Sequence, residues 1–340
     1  MQNIYGISLE QLEQYLINKS YKKFKATQIY EWLYKKRISN FDLMNNIKKD
    51  LIDELKKDFS INQLKIINKI EDVDVIKYLF QLIDGNKIEA VLMKHDYGNS
   101  LCVSSQVGCN MGCLFCESGR LKKIRNLTTD EMTLQILMIE EDLKLRISHI
   151  VLMGIGEPLD NYENVMNFIN IINNPKSIDI GARHITLSTC GIVPKIKEFI
   201  NNNKQINLAI SLHAPNDELR NEIMPINKIY KIKKIIDIIK EYINKTNRRV
   251  TFEYIMLKEI NDTDICAFEL AKLLKGINCY VNLIPYNETS HIEYKKSSKN
   301  QILKFYDILK KNKINVTIRK EFGSKVNAAC GQLRSLYEEE

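Results

Sequence analysis

Apolar residues near the N-terminus recur at helical spacing, as in Leu9, Leu12 and Leu16 and then Ile29 and Leu33. Steps of three and four residues place them on one helical face, so residues 1–60 are expected to form a small helical domain. From 63 to 98 the pattern turns to alternation, interrupted by the turn signal Asp84-Gly85-Asn86. That combination predicts a β-hairpin, and residues 61–98 read as a hairpin linker, not a barrel repeat. Beyond 98, short β-rich runs (101–105, 150–153, 184–188, 207–212, 250–256, 281–285 and 315–319) are separated by amphipathic helical stretches such as 162–172, 232–243 and 267–274. Strands alternating with helices imply a parallel sheet built from βαβ units. Six or seven such units are too few for a closed eightfold barrel. The expected fold is α/β, a partial, open (β/α)6-type barrel over 99–340, with its chemistry at the carboxyl ends of the strands.

No apolar run reaches the 18 residues a membrane helix needs, and the first nine residues lack the basic head and apolar stretch of a secretory signal. A cytoplasmic protein is expected, with no membrane partner. Net charge is 50 − 42 = +8, which suits a polyanionic partner. Scattered lysine is more often plain solvated surface, so charge alone moves the RNA-binding reading little. The local basic runs are Lys22-Lys23-Phe24-Lys25, Lys35-Lys36-Arg37, and Lys295-Lys296 with Lys299.

Eight cysteines occur, at 102, 109, 113, 116, 190, 266, 279 and 330. Four crowd between Cys102 and Cys116, and in a reducing compartment such clustering points to metal binding or catalysis. Cys266 and Cys279, in apolar contexts, read as ordinary buried thiols, and Cys190 similarly, though at a strand end near the site. Cys109-Asn-Met-Gly-Cys113-Leu-Phe-Cys116 has the spacing C-x3-C-x2-C directly after the first barrel strand. Three thiolates on one tight loop can hold three irons of a [4Fe–4S] cluster and leave the fourth iron open. Zinc remains an alternative, although the next histidine is His149, far from the loop in sequence. Downstream, Thr128-Thr129-Asp130-Glu131 is a capping box predicted to open a helix through Met138.

The triplet and the strings that follow it resemble the radical S-adenosylmethionine (SAM) superfamily. More narrowly they resemble the RlmN family of adenine C2-methyltransferases of ribosomal and transfer RNA. The resemblance spans roughly residues 89 to 333. It is carried by Leu101-Cys102-Val103-Ser104-Ser105-Gln106-Val107-Gly108-Cys109, Gly154-Ile155-Gly156-Glu157-Pro158-Leu159, Ser211-Leu212-His213-Ala214 and Ala328-Ala329-Cys330-Gly331-Gln332-Leu333.

What the resemblance implies is specific. Cys109, Cys113 and Cys116 would ligate one [4Fe–4S] cluster. Gly156, Glu157, Ser188, Ser211, Leu212, His213 and Asn287 would bind SAM. Cys330 would accept a methyl group from one SAM, a radical from a second SAM would activate it toward adenine C2, Cys102 would release the product through a transient disulfide, and Glu89 would take the proton. The partners would be 23S rRNA and tRNA and an electron donor of the flavodoxin or ferredoxin type, with the chain a monomer. On residue type alone, Cys330 and Cys102 would be small core residues and Glu89 a solvated carboxylate. The alternatives are a sister enzyme acting at adenine C8, whose members tend to carry Ala where this chain has Pro158, a non-catalytic iron–sulfur or zinc RNA-binding protein, and a radical SAM activase or sulfur-inserting enzyme. Glu117, directly after Cys116, stands where family members more often have a small residue.

Overall fold

The computed structural model describes residues 1–202, 205–289 and 291–319. Its central sheet begins as an antiparallel meander of β1 (Lys65–Asp72), β2 (Val75–Gln81), β3 (Lys87–His95) and β4 (Gly98–Cys102). β4 then pairs in parallel with β5 (His149–Leu152). The strands β6 (Ile185–Thr189), β7 (Asn207–Ser211), β8 (Val250–Met256), β9 (Cys279–Pro285) and β10 (Val316–Ile318) follow, each parallel to the one before. Spatial order equals chain order, and β1 and β10 are the two edges, so the barrel is open.

The N-terminal unit contains α1 (Leu9–Asn18), α2 (Lys25–Tyr30) and α3 (Lys49–Asp58). Ser8 caps α1 reciprocally with Gln11: the Ser8 N–H donates to Gln11 Oε1 at 2.8 Å and the Gln11 N–H to Ser8 Oγ at 3.2 Å, which satisfies two otherwise orphaned donors. Between the parallel strands lie α4 (Thr129–Leu143), α5 (Tyr162–Asn173), α6 (Val193–Asn201), α7 (Asp217–Ile223), α8 (Ile232–Thr246), α9 (Asp264–Leu274) and α10 (Lys299–Lys311). The expected partial (β/α)6-type barrel is therefore present, and β10 adds a seventh parallel strand. Helix α4 starts where the capping box predicts, with the Thr128 N–H donating to Glu131 Oε2 at 2.9 Å, and runs past Met138 to Leu143.

Residues 61–98, expected as a hairpin linker, contribute three strands bonded edge to edge into the barrel sheet. The hairpin is present, but it extends the barrel sheet and does not merely connect two units. The strands explain why: Ile88, Ala90 and Leu92 join the large core beneath the helices, while Val91 and Met93 pack with Ile155 on the opposite face. A strand with apolar residues on both faces is stable only inside a larger sheet.

The same division runs through the parallel strands. Ile150, Leu152, Leu187, Leu208, Ile210, Phe252, Tyr254, Val281 and Leu283 are buried in the helix-facing core. At roughly 1.5–3 kcal/mol for each fully buried large apolar side chain, this layer holds the sheet. The inner face carries Ser188, Ser211, Thr251, Glu253 and Asn282, which line cavities. Polar side chains in otherwise apolar strands thus mark the face that works.

Candidate active site at the carboxyl rim of the sheet

Beyond Cys102 the chain leaves β4 through Val103–Gln106, a segment held from several sides. Gln135 Oε1 accepts the Ser104 N–H at 3.0 Å, and Ser104 Oγ donates to Glu89 O at 2.6 Å. Asn161 Nδ2 donates to Ser105 O and Leu127 O, each at 2.8 Å, and Gln106 Oε1 accepts the Glu157 N–H at 2.8 Å. Each bond crosses between the ends of different strands or helices, so the rim is one rigid network.

The cysteine loop hangs from this network. The Cys109 N–H donates to Leu121 O at 2.9 Å, the Leu114 N–H to Ile223 O at 3.0 Å, and the Ile124 N–H to Val107 O at 2.8 Å. At Gly108 the backbone has φ +74°, and a Cβ there would lie 2.2 Å from Lys122 O, so only glycine lets the loop close. Cys109, Cys113 and Cys116 line one cavity of about 950 Å³, counting its open mouth. Burial pushes the Cys109 thiol up to about 12 and Cys113 well above the ordinary range. Holding thiolates here therefore calls for a strongly positive ligand group.

The donor set fits an iron–sulfur cluster with one open corner. Three thiols from one tight loop line the cavity together, and thiolates are the usual ligands of such a cluster. A fourth thiol, Cys190, also lines the cavity, but it donates to the Glu157 carboxylate, and burial pushes its proton affinity up well above the ordinary range. That thiol is engaged as a hydrogen-bond donor.

Around the same cavity stand Gly156, Glu157, Ser188, Ser211 and His213, from the ends of three successive strands. Gly156 has φ +105°, and a Cβ would come within 2.5 Å of Gln106, so the turn admits no side chain. Glu157 is buried, with Oε2 accepting the Cys190 N–H at 2.8 Å and Oε1 the Leu159 N–H at 3.0 Å. Burial raises its proton affinity, while these donors oppose the shift. His213 sits at φ +59° and packs edge-on against Phe115 at 4.9 Å. Its Nδ1 accepts the Ile255 N–H at 3.0 Å, so the proton is on Nε2 and the ring offers a donor. Burial, reinforced by the charge of Arg220, lowers its pKa to about 3.

Two residues expected among the SAM contacts lie elsewhere. Leu212 is fully buried in the helix-facing core, its N–H bonded to Glu253 O at 3.1 Å; strand alternation turns its side chain away from the cavity that Ser211 faces. Asn287, half-buried beyond β9, is not among the cavity's lining residues. Glu89, which residue type alone would leave solvated, is 0% exposed, and Lys77, 2% exposed, reaches its Oε1 at 3.1 Å. The register explains the pair: Glu89 opposes Leu79 and Val91 opposes Lys77, so the two charges are diagonal neighbours on one face. Cys102, half-buried, opposes Val91 on that same face, two positions along from Glu89. Cys330 lies outside the described residues. Cys266 and Cys279 are buried as expected.

Several residues of the site were missed in the sequence. Lys77 and Glu253 each interrupt an apolar strand, which was the available signal. Glu253 is buried at the cavity floor; Asn282 Nδ2 donates to it at 2.9 Å, and the Arg319 charge opposes the burial that raises its proton affinity. The basic patches are less free than their sequence suggests. Arg37 pairs with Glu140 on α4, Lys23 with Glu13 at 3.1 Å, and Lys295 with Glu288 at 3.2 Å, while Lys36 lies 3.4 Å over the Trp32 ring. Glu117 is buried and accepts from Arg120 at 2.8 Å.

Comparison with known proteins agrees with this geometry. A family model described as "Radical SAM superfamily" matches residues 103–270, and one described as "Ribosomal RNA large subunit methyltransferase N-terminal domain" matches 2–61. The chain is 55% identical to a protein of Enterococcus faecalis, covering 98% of this chain and 96% of that one, and 52% identical to one of Spiroplasma citri, covering 98% of each. Both are named "Probable dual-specificity RNA methyltransferase RlmN". A crystal structure of a radical SAM methyltransferase from Sphaerobacter thermophilus superposes with a TM-score of 0.91 at 38% identity, covering 98% of this chain and 99% of that one.

Proposed function

The chain belongs to the RlmN family of radical SAM RNA methyltransferases, and from that premise we propose that it methylates C2 of a specific adenosine in 23S rRNA and in tRNA through a methyl-cysteine intermediate. The observation that carries the proposal is the convergence of the three loop cysteines with Gly156, Glu157, Ser188, Ser211 and His213 on one cavity.

A C2 hydrogen is not acidic and the carbon is a poor nucleophile, so polar methyl transfer has no route. When bound, the cluster and SAM supply one-electron cleavage of the sulfonium and a radical able to take hydrogen from an unactivated carbon. The remaining work falls to this chain. Cys109, Cys113 and Cys116 hold the cluster. Glu157 and the Gly156 turn receive the amino-acid end of SAM, where a buried carboxylate matches an ammonium. The Nε2–H of His213 and the hydroxyls of Ser188 and Ser211 supply neutral hydrogen-bonding partners. Cys330 carries the methyl group as a thioether, since a thiolate is a competent nucleophile. Cys102, as its thiolate, attacks the Cys330 sulfur; the S–S bond forms as the bond from that sulfur to the transferred carbon breaks, and the bonding pair stays on the carbon, which takes up a proton to become the methyl group. Glu89, on the strand beside Cys102, accepts the proton from C2, and the Lys77 ammonium lies 3.1 Å from its carboxylate.

The base must leave its stack to reach this cavity, and the N-terminal unit and the Lys295–Lys299 loop are the proposed phosphate contacts. Pro158, buried at the start of the turn after Glu157, supports C2 over C8. The protein is expected to act as a monomer in the cytoplasm, with a flavodoxin or ferredoxin as its electron source. Anaerobic reconstitution with iron and sulfide analysis, a SAM-cleavage assay, and mass spectrometry of modified rRNA and tRNA test the whole reading. The expected product is 2-methyladenosine; 8-methyladenosine would move the enzyme to the C8 class, and iron-free zinc binding without SAM cleavage would overturn it.

A further inference from the structure

Arg220, on α7, is 0% exposed. Its Nε–H donates to Leu212 O at 3.0 Å, Nη1 to Asn227 Oδ1 at 2.9 Å and Tyr230 O at 3.4 Å, and Nη2 to Cys190 O at 2.7 Å and Ser211 O at 3.1 Å. All five acceptors are neutral. Among the described residues no carboxylate forms an ion pair with it, whereas Arg37, Arg120 and Arg125 each have one. A buried charge without a counter-charge costs several kcal/mol, and a neutral side chain would tie the same carbonyls more cheaply. The groups next to the guanidinium identify what is missing. Cys190 and Ser211, whose carbonyls it holds, line the cavity of the cysteine loop. The helix that carries Arg220 also holds the cysteine loop itself, its last residue Ile223 accepting the Leu114 N–H at 3.0 Å.

We propose that Arg220 is the buried counter-charge of the cluster site and a positioning residue that sets the potential at which the cluster is reduced. The inference rests on the reading of this cavity as a cluster site. Three thiolates contribute three negative charges against the 2+ iron–sulfide core, so the loaded site is anionic. Reduction adds one electron from a one-electron donor, takes the core to 1+, and requires no proton. Each increment of negative charge is stabilised by a fixed positive charge in a site of low dielectric. The guanidinium also holds the loop ends of β6 and β7 through Cys190 O, Ser211 O and Leu212 O, so charge and scaffold are delivered by one side chain.

The test compares wild type, Arg220→Lys and Arg220→Gln, each reconstituted anaerobically with iron and sulfide. Iron and sulfide content is measured first, then the midpoint by titration with a dithionite-poised mediator set followed by electron paramagnetic resonance. Arg220→Gln is expected to load its cluster and lower the reduction equilibrium constant at least tenfold, 59 mV for a one-electron couple. Arg220→Lys should stay within threefold of wild type. Failure of all three proteins, wild type included, to load would overturn the site reading itself. Full loading with equal midpoints would leave the site reading intact and overturn the role of Arg220. Should the Gln variant be too unstable to load, the Lys variant decides: a wild-type midpoint supports the charge, and a midpoint shifted tenfold shows a structural tie only.

Discussion

Replacing Lys77 with Met leaves Glu89 in its apolar setting without its cation. At 3.1 Å and an effective dielectric of about 20, the pair attracts by roughly 5 kcal/mol. Desolvation of both groups offsets much of this, and removing one member of a buried pair typically costs about 3–5 kcal/mol. A lone buried carboxyl neutralises itself by taking up a proton, and a protonated Glu89 cannot receive another from adenine C2. General-base catalysis contributes roughly 10²–10⁴-fold, so methylated RNA should fall by at least about 100-fold. SAM cleavage does not depend on Glu89, so 5′-deoxyadenosine should still form. Measuring both products in one reaction separates loss of the base from loss of the site. Product formation by the variant should recover as pH rises and the carboxyl loses its proton again. Adding Glu89→Gln should restore stability, since replacing both charges is far less costly than removing one. A Lys77→Met enzyme with the wild-type rate and pH profile would refute the argument.

Three further outcomes follow from the rim. Gly156→Ala drives a methyl group into Gln106 at 2.5 Å and strains a backbone at positive φ; unfolding should become about 1–3 kcal/mol easier, and unchanged denaturant midpoints would count against the packing described. Glu157→Gln turns a donor toward either the Cys190 or the Leu159 N–H, a loss of about 1.5–3 kcal/mol, so equilibrium dialysis should show SAM binding weakened roughly 10- to 100-fold; full affinity would exclude the assigned role. His213, with its pKa lowered to about 3 by burial against 6.5 in the unfolded chain, binds its proton only in the unfolded state between these values. Its contribution is therefore complete above pH 6.5 and is lost as pH falls toward 3, about 2 kcal/mol at pH 5. Urea unfolding of His213→Asn should show a shallower loss of stability between pH 6.5 and 5, and an identical slope would contradict the buried neutral imidazole.

Much of this architecture could be read before any coordinates. Strands such as β6 and β9 stand out because apolar residues that helices cover (Leu187, Val281, Leu283) alternate with polar ones that line cavities (Ser188, Asn282). The capping box at Thr128 located the start of α4 because local hydrogen bonding alone determines it. The end of α4 escaped because its last turns are stabilised by tertiary contacts: Glu140 binds Arg37 and also accepts the Ile147 N–H at 2.7 Å. The hairpin within 61–98 was visible, but its fusion to the barrel depends on β3 pairing with β4, which no local pattern encodes. Of the site, the loop cysteines and the Gly156 turn were legible because their spacing is itself the constraint. The direction of the Leu212 side chain was not legible because a motif string names neighbours in sequence, whereas alternation sends adjacent side chains to opposite faces. Lys77 was overlooked although a lysine inside Val75-Ile76-Lys77-Tyr78-Leu79, diagonal to a glutamate across a hairpin, is improbable as surface.

The inward charges share one logic. Lys77 is matched by Glu89, and Arg319 offsets Glu253. Two buried charges at the rim have no ionic partner among the described residues. Glu157 is held by N–H donors, the Thr189 hydroxyl and a thiol, and Arg220 by carbonyls and an amide, all of them neutral. A fold that neutralises its interior elsewhere would not leave both signs unmatched beside one cavity unless ligands complete them. The missing partners have definite chemistry: a cation small enough to meet Glu157 beside Gly156, and an anion in the cavity that Cys190 and Ser211 line, for Arg220. A SAM ammonium and a thiolate-ligated cluster satisfy the two demands together. Each should therefore bind more tightly when the other is present, because loading one reduces the desolvation left for the other to compensate.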